Sequence, residues 1–354
     1  MSNRTLMAGN IAIAEGAILA GCQAYFGYPI TPQNELLEHM SKRMPEEGRV
    51  FVQTESELAA INMVYGAAAV GCRAMTSTSS PGFSLQQEGI SYMSGAELPG
   101  VIVNVMRGGP GLGNIGGAQG DYFQSIKGGG HGDYRVISLA PSSVQEMMDL
   151  TMLAFELADK YRNPVVLLPD GFLGQAMEPV VMREPVTELP DKPWAITGAS
   201  GRPKNIINSF DMEPANFQPR VELLLQKFER IRQNEARYEG YNLDDASLVI
   251  VAYGSASRAA LTAMKTARQE GLPVGLFRPI SLFPFPCEAL SNLARRANDF
   301  LVAELSSGQF IEDVKLVVGL DKRVELVNQY GGVTLFAEDI LEAIEKMIKQ
   351  PAGR

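Results

Sequence analysis

Short β-branched runs alternate with alanine-rich stretches in two separate parts of this chain, and that alternation narrows its fold more than any other feature. Residues 101–105 (VIVNV) and 165–168 (VVLL) fall in a first block, 1–183. Residues 247–253 (SLVIVAY), 272–277 and 300–304 fall in a second, 246–354. Runs this short and apolar read as buried strands, and the longer segments between them have helical period. Each block therefore predicts an α/β layer: a parallel sheet covered by helices. In the second block the pattern predicts a turn at 254–257 and a helix over 258–269. A closing helix follows, with Ile340, Leu341, Ile344, Met347 and Ile348 on one face. Residues 184–245 lose the alternation. They hold prolines, Trp194 and a charged stretch in which Val221, Leu224, Leu225, Phe228 and Ile231 share a helical face. We expect α/β domains at 1–183 and 246–354, joined by a linker arm at 184–245 that carries one amphipathic helix.

Composition removes several functional classes. With 354 residues, 45% hydrophobic and 20% charged, the chain can bury more than one core. No apolar run approaches the roughly 18 residues a membrane span needs, and the first residues show no secretory pattern, so a cytoplasmic protein without a membrane partner is expected. A net charge of −9 argues against nucleic acid as a partner. Cys22, Cys72 and Cys287 are far apart, and His39 and His131 are the only histidines. Neither a metal site nor an iron–sulfur cluster is expected on this chain itself.

Four local signals carry chemistry. Of the 35 glycines, 11 lie between Gly108 and Gly132. Such density after a strand suits either a ligand loop with unusual dihedrals or an exposed surface loop. Gly111, Gly113 and Gly116 match GxGxxG, but more glycine follows instead of a helix, which argues against a dinucleotide site. In Tyr28-Pro29-Ile30-Thr31-Pro32, Thr31 reads as an N-cap and Pro32 as a first helical residue, a place that attracts carboxylates. It reads equally as a plain strand-to-helix turn. Glu57 opens a small-residue helix (SELAA), and by itself would pass for a surface charge. Arg107 ends the strand VIVNVM, where its guanidinium could hold a carboxylate with two bonds or simply face solvent.

Taken in order, YPITP, SELAA, TSTSSPGFSLQQEG (76–89), the Arg107 strand and PSSVQEM (141–147) resemble the alpha subunit of thiamine-diphosphate-dependent 2-oxoacid:ferredoxin oxidoreductases. GLPVGLFRPISLFPFP (271–286) and VAELSSGQF (302–310) resemble that family's transketolase-type C-terminal domain. The resemblance covers most of the chain outside 184–245. It implies a thiamine pyrimidine-binding-type parallel-sheet domain followed by a transketolase C-terminal-type domain. Glu57 matches the family's activating glutamate, which bonds the cofactor's pyrimidine. Thr31 and Arg107 match residues near the substrate, and Tyr28, Pro29 and Ile30 fall in the cofactor-facing loop.

The resemblance also implies partners. The GDG motif that holds diphosphate and Mg²⁺ is absent, although Gly120-Asp121, Gly132-Asp133 and Asp170-Gly171 occur. The family places thiamine diphosphate, Mg²⁺ and a 4Fe-4S cluster mainly on a beta subunit, with room for gamma and delta subunits, and uses CoA and ferredoxin. RGGPGLGNIGGAQGDYFQ and GGGHGDYR look most like the branched-chain enzymes acting on 3-methyl-2-oxobutanoate. The alternatives are a 2-oxoglutarate enzyme, for which Lys127, His131 and Arg135 would offer a further cation, and a self-sufficient thiamine decarboxylase or transketolase-like enzyme.

Overall fold

The computed structural model describes residues 4–349. Its first sheet has seven strands, in the spatial order Ser281–Phe283, Ile137–Leu139, Pro164–Leu167, Gly100–Asn104, Ala74–Thr78, Ala24–Gly27, Val50–Gln53. Six of them are parallel, and the outermost, Ser281–Phe283, runs antiparallel to Ile137–Leu139. The inner strands are buried along their whole length. That burial on both faces is why they read as continuous apolar runs and not as alternating ones. Helices Gly9–Leu19 and Val144–Tyr161 pack closely enough that a Cβ at Gly16 would collide with the Met148 carbonyl.

Five strands make the second sheet, in the order Arg323–Asn328, Asp299–Glu304, Leu248–Ala252, Val274–Pro279, Tyr238–Tyr241, the last antiparallel. Its two faces have different fates, as the two-residue period of a strand requires. Val249, Val251, Phe300 and Val302 join the core that runs through the first sheet. Leu248, Ile250, Leu301 and Ala303 pack instead under helices Gly254–Gln269 and Ala337–Lys349. A small third sheet pairs Arg4–Ala8 with Met177–Val181.

Several boundaries differ from the sequence reading. The expected turn at 254–257 is the first turn of helix Gly254–Gln269: Gly254 takes a φ of +57° and the helix starts there directly after the strand. The strand expected at 272–277 runs Val274–Pro279, because the Leu272 N–H still closes the preceding helix on the Ala267 carbonyl. Along the charged stretch, helix Pro214–Asn234 buries Phe228 and Ile231, while Leu225 stays exposed. The same helix buries Lys227 at the Arg162 carbonyl, near Glu97. The closing helix buries Ile340, Ile344 and Met347, leaving Ile348 toward solvent.

Two sequence motifs meet at the joint between the sheets. Ser143 caps helix Val144–Tyr161 by accepting from the Glu146 N–H. The Glu146 carboxylate takes two bonds from the Arg278 guanidinium, at 2.6 and 2.9 Å. Arg278 is buried and Glu146 partly so, which shields this forked pair from most of the solvent.

Candidate active site

In a doubly wound sheet, ligands bind where adjacent strands send their following loops in opposite directions. Here that place lies between Ala24–Gly27, which leads outward to Val50–Gln53, and Ala74–Thr78, which leads back to Gly100–Asn104. The loops leaving the carboxyl ends of these four strands carry Tyr28–Thr31, Glu57, Thr78–Ser80 and Arg107. The carboxyl edge of the sheet therefore carries Tyr28–Thr31, Glu57 and Arg107, but not Lys127, His131 or Arg135.

The loop after Ala24–Gly27 leaves Tyr28 and Pro29 exposed and Ile30 and Thr31 half-buried. It does not place Thr31 at the helix cap. Helix Asn34–Glu46 begins later, with Gln33 in the capping position, because Gln33 N–H first closes a turn on the Ile30 carbonyl. The peptide between Thr31 and Pro32 is cis. Gln33 is fully buried and pins the loop from below. Its amide donates to the Tyr28 carbonyl at 3.1 Å and accepts from the Ser77 hydroxyl at 2.6 Å, and Ser77 in turn meets the Tyr25 hydroxyl at 2.5 Å.

Arg107 reaches this loop directly. Its guanidinium donates to the Thr31 carbonyl at 2.9 Å and to the Leu112 carbonyl at 3.0 Å, and only 7% of the residue is exposed. Nε is buried with no partner. Two carbonyls thus fix the plane of the group while donors remain unused, which is the arrangement that receives a carboxylate.

Glu57 begins helix Glu57–Ala69, whose cap is Ser56 accepting from the Ala59 N–H. It is 5% exposed, yet its carboxylate makes no hydrogen bond or ion pair to any described residue. The carboxylate lies against Gly82, where a Cβ would strike both Glu57 Oε1 and Thr78 Oγ1. Thr78 and Ser79 are buried with unpartnered hydroxyls, although Ser79 holds a capping position. Burying polar groups without partners is unfavourable and calls for an explanation at each one. A ring N–H or amino group would partner the Glu57 acceptor, and a carboxylate would partner the unused donors of Arg107.

Among the described residues no cluster of three or more His, Cys, Asp or Glu side chains could hold a metal ion. Asp121 accepts from the Ser80 hydroxyl and the Asn104 amide, and burial raises its pKa against the pull of those bonds and of Arg107. Asp170 caps helix Gly171–Gln175 and also accepts from the Ser255 N–H, with its pKa raised by burial. Both carboxylates are engaged in holding the fold.

The glycine segment is a strap between the two sheets. Gly111 and Gly113 take φ of +69° and +61°. A side chain at Gly117 would strike Phe172, and one at Gly116 the Gly332 carbonyl. Gln119 bonds Leu305 through its N–H, which donates to the Leu305 carbonyl, and its side-chain oxygen, which accepts from the Leu305 N–H; its amide donates to the Tyr253 carbonyl. Lys127 pairs with Asp313, and His131 stands edge-on to Tyr92. With Arg135, Lys127 lines a separate cavity of about 800 Å³ beside Arg232, Phe285 and Cys287. That cavity contains none of the unpartnered groups, so the crevice is the better candidate.

Sequence reasoning missed Gln33, Ser77, Thr78 and Gly82. The run TSTSS followed by Pro81-Gly82 was the available signal, since five hydroxyl residues ending a buried strand need partners.

Comparison with known proteins identifies the family. The profile of the pyruvate flavodoxin/ferredoxin oxidoreductase, thiamine-diphosphate-binding family matches residues 15–215. That of pyruvate:ferredoxin oxidoreductase core domain II matches residues 246–340. The ketoisovalerate oxidoreductase subunit VorB of Methanothermobacter thermautotrophicus is 55% identical over 97% of this chain and 97% of its own length. The 2-oxoglutarate synthase subunit KorA of Methanocaldococcus jannaschii is 37% identical over 96% of this chain and 98% of its own. A solved 2-oxoglutarate:ferredoxin oxidoreductase from Magnetococcus marinus superposes with a TM-score of 0.88 at 26% identity, covering 98% of this chain and 66% of that one. A split-gene transketolase, 17% identical with a TM-score of 0.59 and 96% of each chain covered, shows the shared fold alone. No helix among the described residues is long and apolar enough to cross a membrane. The chain belongs to the pyruvate flavodoxin/ferredoxin oxidoreductase family, as an alpha-type subunit of a 2-oxoacid:ferredoxin oxidoreductase.

Proposed function

We propose that this chain supplies the pyrimidine-facing carboxylate and the substrate-carboxylate site of an enzyme that converts 3-methyl-2-oxobutanoate and CoA to the acyl-CoA and CO₂, reducing ferredoxin. One observation carries the reading: Glu57, buried and without a partner among the described residues, stands at the carboxyl edge of the same sheet as Arg107, whose Nε is also unpartnered. Thiamine diphosphate, when bound, supplies a nucleophilic carbon and a sink for the electrons released with CO₂. Glu57 offers an acceptor to the cofactor's pyrimidine N–H and so holds the proton whose position activates that carbon. Arg107 binds the substrate carboxylate, held in plane by the Thr31 and Leu112 carbonyls. Tyr28, Pro29, Ile30 and Thr31 form the adjoining wall.

The diphosphate, Mg²⁺ and a 4Fe-4S cluster then belong to a partner beta subunit, with gamma or delta subunits completing the complex in the cytoplasm. Substrate preference rests on the 55% identity to a ketoisovalerate oxidoreductase subunit against 37% to a 2-oxoglutarate synthase subunit. Lys127 is ion-paired elsewhere, which removes one cation that a second substrate carboxylate would need.

The test is CoA-dependent viologen reduction by the complex purified natively through this chain, with 3-methyl-2-oxobutanoate, 2-oxoglutarate and pyruvate in parallel. Fastest turnover of the branched acid is expected. Preference for 2-oxoglutarate would reassign the substrate, and tight thiamine diphosphate binding by this chain alone would favour a self-sufficient enzyme.

A further inference from the structure

Of the five consecutive hydroxyl residues that end the strand Ala74–Thr78 and enter the next helix, the last four divide into two pairs. Ser77 and Ser80 are fully bonded, the first to Gln33 and Tyr25, the second to Arg107 and Asp121. The hydroxyls of Thr78 and Ser79 are equally inaccessible and bond nothing. Thr78 cannot be excused as a packing residue, because valine would fill the same space without an unpaired hydroxyl in a buried strand. Its Oγ1 and the Oε1 of Glu57 converge on one point beside Gly82, a donor lacking an acceptor next to an acceptor lacking a donor. Glycine is the one residue that leaves room for both, since any Cβ at position 82 would displace them.

We propose that Thr78 is a positioning residue for Glu57: its hydroxyl donates to Glu57 Oε1 when the crevice is filled, turning the other carboxylate oxygen toward the cofactor's pyrimidine. A carboxylate free to rotate presents either oxygen at varying angles. One held by a neutral hydroxyl keeps a fixed direction without gaining a neutralising charge, so its acceptor strength toward the ring N–H is preserved. This rests on the role proposed for Glu57, and the variants below separate the two ideas.

The experiment uses the natively purified complex, stripped of cofactor and then titrated with thiamine diphosphate and Mg²⁺. Near-ultraviolet circular dichroism follows the amino and imino forms of the bound pyrimidine. In parallel, kcat, the KM for the oxoacid and the melting temperature of the stripped complex are measured. Thr78→Val is expected to lower kcat about ten- to a hundredfold, with KM nearly unchanged, and to weaken the imino signal. The stripped Thr78→Val complex should melt at or above the parent. Thr78→Ser should restore both kcat and signal, because it returns the hydroxyl. Parental kcat and signal in Thr78→Val, alongside their loss in Glu57→Gln, would overturn the positioning role and leave that of Glu57 standing. Thr78→Ser as impaired as Thr78→Val would also overturn it. Parental kcat and signal in Glu57→Gln itself would bring down the proposed function and this inference with it.

Discussion

The carboxyl edges of the two sheets are built alike and finished differently. At the second sheet, Glu304 accepts from the Phe310 and Ile311 N–H groups and from the Ser306 hydroxyl, and both backbone groups of Leu305 are taken by Gln119. The Tyr253 carbonyl is satisfied by the same Gln119, and of this set only the Tyr253 hydroxyl lacks a partner. At the first sheet, the Thr78 and Ser79 hydroxyls and Arg107 Nε are buried without partners, and the Glu57 carboxylate, beside Thr78 and Gly82, bonds no described residue. Equivalent topology therefore does not mark a site. Where a loop from the neighbouring sheet has already consumed the strand-end groups, the edge serves as a joint. Where polar groups are buried and unspent, the edge awaits a ligand.

Substitutions can break this contrast from either side. Gly82→Ala should have the largest effect: its methyl group displaces Glu57 and Thr78, and turnover should fall about a hundredfold or more while the far-ultraviolet spectrum stays parental. Arg107→Lys comes next. It keeps the charge but loses the fork held by the Thr31 and Leu112 carbonyls, so kcat/KM for the oxoacid should drop about ten- to a hundredfold, mostly through KM if the group binds ground and transition states alike. A fall in kcat alone would place Arg107 at the developing charge instead.

Gln119→Ala attacks the other edge. It leaves the Leu305 N–H without a partner, at roughly 1–3 kcal/mol, and takes from the Tyr253 carbonyl one of its two donors, the Ser257 N–H remaining. The melting temperature should fall by several degrees, while activity per intact complex remains near parental at assay temperature. Lost activity without lost stability would mean that the strap also shapes the crevice.

The smallest effect belongs to neither edge. Burial lowers the Lys227 pKa from 10.5 to about 8, partly offset by Glu97. Between those values the unfolded chain binds the proton that the folded chain has released, so this group's contribution to stability rises with pH across about 8 to 10.5 and is flat below. Lys227→Met should remove that rise from the pH profile of unfolding.

How much of this was legible in the sequence depends on distance along the chain. Strand cores such as 101–105 and 247–253 announced themselves locally, and the residues at their carboxyl ends could be ranked by chemistry. The start of helix Asn34–Glu46 was misplaced because Thr-Pro ahead of an apolar helix imitates a cap. The partner of Ser77 lies 44 residues away, and that of Glu146 lies 132 away. No periodicity reports such pairings, since they are fixed only when helices and strands from separate segments dock. The glycine segment was visible as unusual, but its work as a strap depends on Leu305 and Gly332, which no nearby residue reveals.

The short strand Ser281–Phe283 has a consequence for how the chain is made. It lies on Ile137–Leu139, so the outer margin of the first sheet is covered by residues synthesised well over a hundred positions later. Until the ribosome has delivered them, the nascent first sheet exposes a row of ungratified backbone donors and acceptors to whatever else is nearby. A polypeptide truncated before residue 281 would carry that raw margin permanently, and its tendency to self-associate would reflect a missing seam and not a faulty core.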